Sequence, residues 1–79
     1  MNTEVEPLNV DGRKFLEKIG ISFNAAIMKD LRDNNFVRFF KIGKKFMYYS
    51  EDIDTVNQLV RSKKISIRTD KGYYLTINN

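Results

Sequence analysis

Arg38, Lys41, Lys44 and Lys45 are interleaved with aromatic residues in the run Phe36-Val-Arg-Phe-Phe-Lys-Ile-Gly-Lys-Lys-Phe-Met-Tyr-Tyr-Ser50. The chemistry such a run offers is attraction for a polyanion, because each phosphate neutralised by a cation releases condensed counterions. The charge distribution points the same way: residues 1–37 carry five basic and six acidic side chains, residues 38–79 nine and four. A solvated, solubilising face is the bland alternative. Covalent chemistry has little to work with. The chain contains no cysteine and no histidine, which removes disulfides, the usual zinc ligands, and Ser-His-Asp or Cys-His nucleophiles. Glu17, Glu51, Asp52 and Asp54 form no recognisable acid/base pair and fall where helix caps and solvated faces want carboxylates. The expectation is a non-enzyme with no cofactor, no metal and no evident small-molecule ligand.

Those cations need a scaffold, and 79 residues with 42% hydrophobic and 13% aromatic content predict one folded domain with a small core. No apolar run reaches the roughly 20 residues of a membrane helix. Met1-Asn-Thr-Glu-Val-Glu-Pro7 lacks the basic start and apolar centre of a signal peptide, so a cytoplasmic location is expected. Residues 1–9 read as a flexible lead-in, residues 10–62 as the body of the domain and residues 63–79 as its C-terminal extension.

Two helices come first. Asp11 is a favoured N-cap, Val10 can staple onto Phe15, and Phe15, Leu16 and Ile19 mark an apolar stripe that Gly20 terminates. Ser22 reads as the next N-cap, opening a helix from Phe23 to about Asp33 with Phe23, Ala26, Ile27 and Leu31 inward, across a tight helix-turn-helix connection. Asn34-Asn35 then supplies turn chemistry. In the basic run, Phe40, Ile42, Phe46 and Tyr48 alternate about a Gly43-Lys44-Lys45 loop, so they are expected on one face of a hairpin, with Lys41, Met47 and Tyr49 on the other. Ser50 caps a third helix with Glu51 and Asp52 in its first turn and Ile53, Val56, Leu59 and Val60 buried. A second hairpin closes the chain: Ile65 and Ile67 face Tyr73, Leu75 and Ile77 across Asp70-Lys71-Gly72, read as a three-residue loop with its glycine left-handed.

Ile19-Gly20-Ile21-Ser22 at the turn, Lys41-Ile42-Gly43-Lys44-Lys45 at the hairpin and Ser50-Glu51-Asp52-Ile53 opening the third helix give the segment from Val10 to Val60 a resemblance to excisionase-like and MerR-like winged helix-turn-helix DNA-binding proteins. In that family a leucine-glycine-valine-serine turn precedes the recognition helix and a valine-glycine-arginine-arginine turn makes the wing. The chain departs from it after the serine, where Phe23, Asn24, Ala25 and Ala26 replace the usual arginines and threonine, and in the first helix, where Phe15 and Leu16 replace two small residues. The implied fold is α+β: a small winged helix-turn-helix of two N-terminal helices, a basic β-hairpin wing, a third helix and a C-terminal β-hairpin.

What the resemblance implies is a double-stranded DNA-binding protein, a transcriptional regulator or excisionase-type factor of phage or mobile-element setting, working as a homodimer or a cooperative array. Its second helix would enter the major groove. The residues expected to touch DNA are Ser22 at the turn; Asn24, reading adenine; Ala25 and Met28, touching a thymine methyl; Lys29 and Arg32, reaching guanine or phosphate; and Arg38, Lys41, Lys44 and Lys45, holding phosphates from the wing beside a minor groove. Duller readings stand beside these: Lys29 paired with Asp33, Met28 filling a core gap, Tyr48 and Tyr49 packing. A protein-interaction module that kept this shape but does not read DNA, using Phe23, Phe39 and the apolar C-terminal ribbon, is the main alternative. RNA binding is a third.

Overall fold

The first two helices of this chain are opened by residues whose side chains satisfy their end groups. In the computed structural model, which describes residues 8–78, the elements run β1 (Asn9–Asp11), α1 (Gly12–Ile19), α2 (Ala25–Asp33), β2 (Phe39–Ile42), β3 (Lys45–Tyr49), α3 (Glu51–Arg61), β4 (Ile65–Arg68) and β5 (Tyr74–Ile77). They form a small α+β fold of three helices and two antiparallel sheets, ordered β1-β3-β2 and β4-β5. Most of the expected lead-in, Met1 to Pro7, lies outside the described residues. Asn9 does not belong to a loose segment, because it opens β1 and pairs with Tyr49.

Asp11 caps α1 as expected, its Oδ1 accepting the Lys14 amide at 2.9 Å. The second helix starts two residues later than the sequence suggests. Asn24, not Ser22, is its N-cap, with Oδ1 accepting the Ile27 amide at 3.1 Å. Asn is at least as good a cap as Ser, and moving the start places Ile27, Leu31 and Met28 on the buried side. Phe23 and Ala26, expected inward, are both exposed. Ser50 precedes α3 as expected, though its side chain makes no capping bond to the helix.

The β2–β3 hairpin turns on two residues, not three. Ile42 pairs with Lys45, leaving Gly43-Lys44 as the loop, and Gly43 takes φ 63° at the first central position as a type II′ turn requires. One residue fewer in the loop reverses the pleat of one strand relative to the other. Phe39 is therefore opposite Tyr48 and Lys41 opposite Phe46, sharing one face; Phe40, Ile42, Met47 and Lys45 share the other. The grouping of Phe40 and Ile42 with Phe46 and Tyr48 does not hold. In the second hairpin the apolar pairs are as expected, Ile65 with Ile77 and Ile67 with Leu75. Its connection is longer, spanning Thr69 to Tyr73, with Gly72 left-handed.

The core is one cluster: Val10 of β1, Phe15 and Leu16 of α1, Ile27, Met28 and Leu31 of α2, Val37, Tyr48 of β3, Ile53 and Val56 of α3, and Ile65 of β4. β4 packs on α3 and β5 against α2, so the C-terminal hairpin completes this core from within the chain. Phe15 and Tyr48 meet edge to face at 5.7 Å between centroids, a geometry that adds to their area burial. Among the described residues no helix is long and apolar enough to cross a membrane.

Candidate functional site

Tyr48 is the joint between α2 and the β2–β3 hairpin. Its ring is buried on Phe15, and its phenol oxygen accepts a hydrogen bond from Arg32 Nη1 at 2.6 Å. The Arg32 guanidinium then lies over the Phe46 ring, 4.2 Å from its centroid, with Phe39 at 5.9 Å. Lys41 Nζ is 4.8 Å from the same Phe46 centroid. A guanidinium stacked on a ring keeps its charge and its in-plane N–H edges while losing rotational freedom, so Arg32 is a preset cation at the meeting of helix and hairpin.

Between α2, the start of α1 and β3 runs an open groove of about 320 Å³, lined by Asp11, Gly12, Arg13, Phe23, Ala25, Met28, Arg32, Lys45, Phe46 and Tyr48. Arg13 lies over the Phe23 ring at 5.5 Å. Gly12 lets that ring come close, since a Cβ there would stand 3.0 Å from Phe23 Cε1. Lys45 Nζ reaches Asp11 at 3.2 Å. The Asp11 carboxyl is held below its ordinary range, chiefly by the Lys14 amide, opposed by partial burial and aided by Lys45. Among the described residues, three cations against one carboxylate leave the groove net positive. Its chemistry suits a planar or phosphate-bearing anion.

The other expected site residues divide sharply. Ala25 lines the groove and Lys44 stands exposed at the tip of the hairpin. Lys29 is exposed on α2 but ion-paired to Asp33 at 2.6 Å, which pushes its pKa up. Ser22 is exposed in the connection before α2. Three assignments need correction. Met28 is only 1% exposed; it belongs to the core, and its place next to the groove floor gives it no open path to a base. Asn24 spends its side-chain oxygen on the α2 cap, so the paired donor and acceptor that adenine reading needs are not both open.

Arg38 is the third. Its side chain donates to both oxygens of Asp52, from Nη2 at 2.8 Å to Oδ1 and from Nε at 3.3 Å to Oδ2, and also to Glu51, while its backbone amide donates to Asp52 Oδ2 at 2.7 Å. Its guanidinium is 4.4 Å from the Tyr49 centroid. These carboxylates, Asp52 first and then Glu51, push its pKa up and fix it charged. Asp52 is 6% exposed; burial alone would raise its pKa, but the Arg38 hydrogen bonds outweigh that and hold it below the ordinary carboxylate range. Arg38 thus ties the chain before β2 to the first turn of α3 and is neutralised on the spot.

Sequence reading missed Arg13, Gly12 and Phe23 as groove residues, and Tyr48 as the group that positions Arg32. Asp11 as an N-cap was a usable signal for Gly12 and Arg13, which follow it in the first turn of α1; nothing local pointed to Phe23. Comparison with protein-family models, curated proteins and solved structures returned no match.

Proposed function

We propose that this chain is a winged helix-turn-helix protein that binds double-stranded DNA without catalysis, with α2 offered to the major groove and the β2–β3 hairpin as the wing on phosphates. It acts as a transcriptional regulator or as an architectural excisionase-type factor. The observation that carries this reading is Arg32: a cation on α2 tied to Tyr48 and Phe46 of the hairpin, so that helix and hairpin are joined beside a net-positive groove. In duplex DNA the strand that separates two grooves has to pass between elements so placed, and a fixed guanidinium there meets phosphate without further ordering. The base-reading residues reduce to Ala25, Lys29 and Arg32, and the wing's exposed contacts to Lys41, Lys44 and Lys45. So short a reading surface favours several copies on adjacent sites over one tight monomer, as a homodimer or an array.

The test is titration of a labelled mixed-sequence duplex at two salt concentrations. DNA binding predicts affinity falling steeply with salt, and Lys44→Ala lowering the log–log slope by about one without changing thermal stability. Salt-insensitive behaviour, with Lys44→Ala silent, sinks the proposal in favour of a protein-interaction module; stronger competition by RNA than by DNA redirects it.

A further inference from the structure

All three helices stop in the same way. The left-handed residue is Gly20 after α1 (φ 107°), Asn35 after α2 (φ 60°) and Lys63 after α3 (φ 64°). Each time, the amide of that residue and the next bond back into the last turn; for α3 these are Lys63 N–H to Val60 O at 3.1 Å and Lys64 N–H to Leu59 O at 3.0 Å. Glycine takes this conformation freely and asparagine tolerates it, whereas lysine has neither advantage. The helix dipole does not explain the choice, because Arg61 already places a cation in the last turn of α3. A strained lysine has been set at a corner where glycine would be easier.

The corner is also held rigidly. Asn78 Nδ2 donates to the Lys63 carbonyl at 2.9 Å and to Ser66 Oγ at 2.8 Å, and the Asn78 amide donates to the Lys64 carbonyl at 2.8 Å. Both lysine side chains are exposed. The chain's charge concentrates here: residues 1–60 hold nine basic and nine acidic side chains, residues 61–79 five and one, and that one, Asp70, pairs with Arg68 at 3.5 Å. The hairpin that begins at this corner packs against α2 through β5.

We propose that Lys63 and Lys64, at the base of the hairpin whose β5 packs against α2, form a second phosphate-binding arm for duplex DNA, distinct from the wing. This rests on the reading of the protein as a duplex-DNA binder and adds where its net positive charge is used. The arm carries no base recognition, so it contributes affinity equally on all sequences.

The test uses a labelled mixed-sequence duplex of roughly 20 base pairs between about 50 and 200 mM salt, read beside thermal denaturation. Lys63→Gly relieves the left-handed Cβ while removing the charge. It is expected to raise the Tm by roughly 2–5 °C while lowering the log–log salt slope by about one and weakening binding several-fold. Adding Lys64→Ala lowers the slope by about two in all, and Lys63→Arg leaves it unchanged. A Lys63→Gly protein with a higher Tm but wild-type slope and affinity overturns the arm and leaves a simple helix stop, and a Tm that falls removes the strain on which the choice of Lys63 was argued. In either case a preserved Lys44→Ala effect keeps the wing reading intact, whereas no duplex binding by the wild-type protein sinks both.

Discussion

The two hairpins of this chain are built from similar material and use it differently. β2–β3 carries the more conspicuous cluster of cations and rings, yet two of its four cations are already paired with carboxylates: Arg38 with Asp52 and Glu51, and Lys45 with Asp11. β4–β5 looks plainer, two apolar strands with cations at base and tip. There the lysines at the base are exposed on a corner held by Asn78, and among the described residues Arg68 is the cation with a carboxylate partner close by. Charge density in a sequence is therefore a poor guide to charge available for a ligand. What counts is whether carboxylates close in space, often distant in sequence, have taken it first.

The largest losses are expected at the buried anchor of each hairpin. Tyr48→Ala removes a buried ring together with the Arg32 tether, and is expected to destabilise the fold by about 3–5 kcal/mol, lowering the Tm by roughly 15–30 °C. Ile65→Ala, the matching anchor of β4, should cost about 2–4 kcal/mol. If the hairpins are parts of one cooperative core, amide exchange in both accelerates together in either variant. Separate loss of protection would make the second hairpin an independent unit and would weaken its role as a fixed flank of α2.

Asp52 comes next, because it converts an apparent phosphate contact into an internal tie. Asp52→Asn removes the charge that Arg38 is held by and leaves weaker hydrogen bonds, an expected loss of about 2 kcal/mol. The pH dependence has a definite sign. The Asp52 carboxyl titrates lower in the folded chain than in the unfolded one, so its contribution is present above the unfolded pKa of about 4 and is lost as pH falls through the folded value. The wild type should therefore lose stability in acid below about pH 4 more steeply than Asp52→Asn. Equal acid slopes in a pH series of denaturant melts would show that Arg38 is not neutralised in this way, and would return it to the proposed phosphate contacts of the β2–β3 hairpin.

What the sequence made legible was local. Asp11 and Gly20 bound α1 because a cap needs only a side chain three residues away and a left-handed stop needs only a glycine. The apolar pairs of β4–β5 follow from simple alternation. The failures involve ambiguities of one or two residues, an element too short to show a period, or distant partners. Gly43-Lys44-Lys45 admits a two- or three-residue loop, and the choice transposes every face in the hairpin. Ser22 and Asn24 are rival caps two residues apart, and that shift takes Phe23 out of the helix. β1 has three residues and one buried side chain, Val10, so no period could announce it. Arg38 meets Asp52 fourteen positions away, which no helical or strand spacing predicts.

A finer cut separates the position of Arg32 from its packing. Tyr48→Phe keeps the buried ring and deletes only the oxygen that accepts from Arg32, for an expected stability change of about 1 kcal/mol. On the duplex-DNA reading, an Arg32 freed from that bond has to be ordered again on binding, so affinity should fall several-fold while the salt slope stays the same, since no charge is lost. A Tyr48→Phe protein that binds as the wild type does would show that the tie between α2 and the hairpin is structural and nothing more.

The smallest expected effect bears on α2 itself. Lys29 is exposed and faces no part of the core, but its ammonium is tied to Asp33 one turn on. An exposed pair of this kind contributes little to folding, so Asp33→Asn should leave the melting temperature unchanged within error. Its consequence for binding is larger than for stability, because it frees one cation and removes one anion from the same helix face. If α2 is presented to the major groove, Asp33→Asn tightens duplex binding several-fold and steepens the salt dependence by up to one contact. The hairpin corners, where the other cations sit, are untouched by this change, so a gain can only come from the helix. Unchanged binding in Asp33→Asn, together with losses in both Lys44→Ala and Lys63→Gly, would mean that the two hairpins grip the phosphates while α2 stays clear of the bases, an architectural mode without sequence reading.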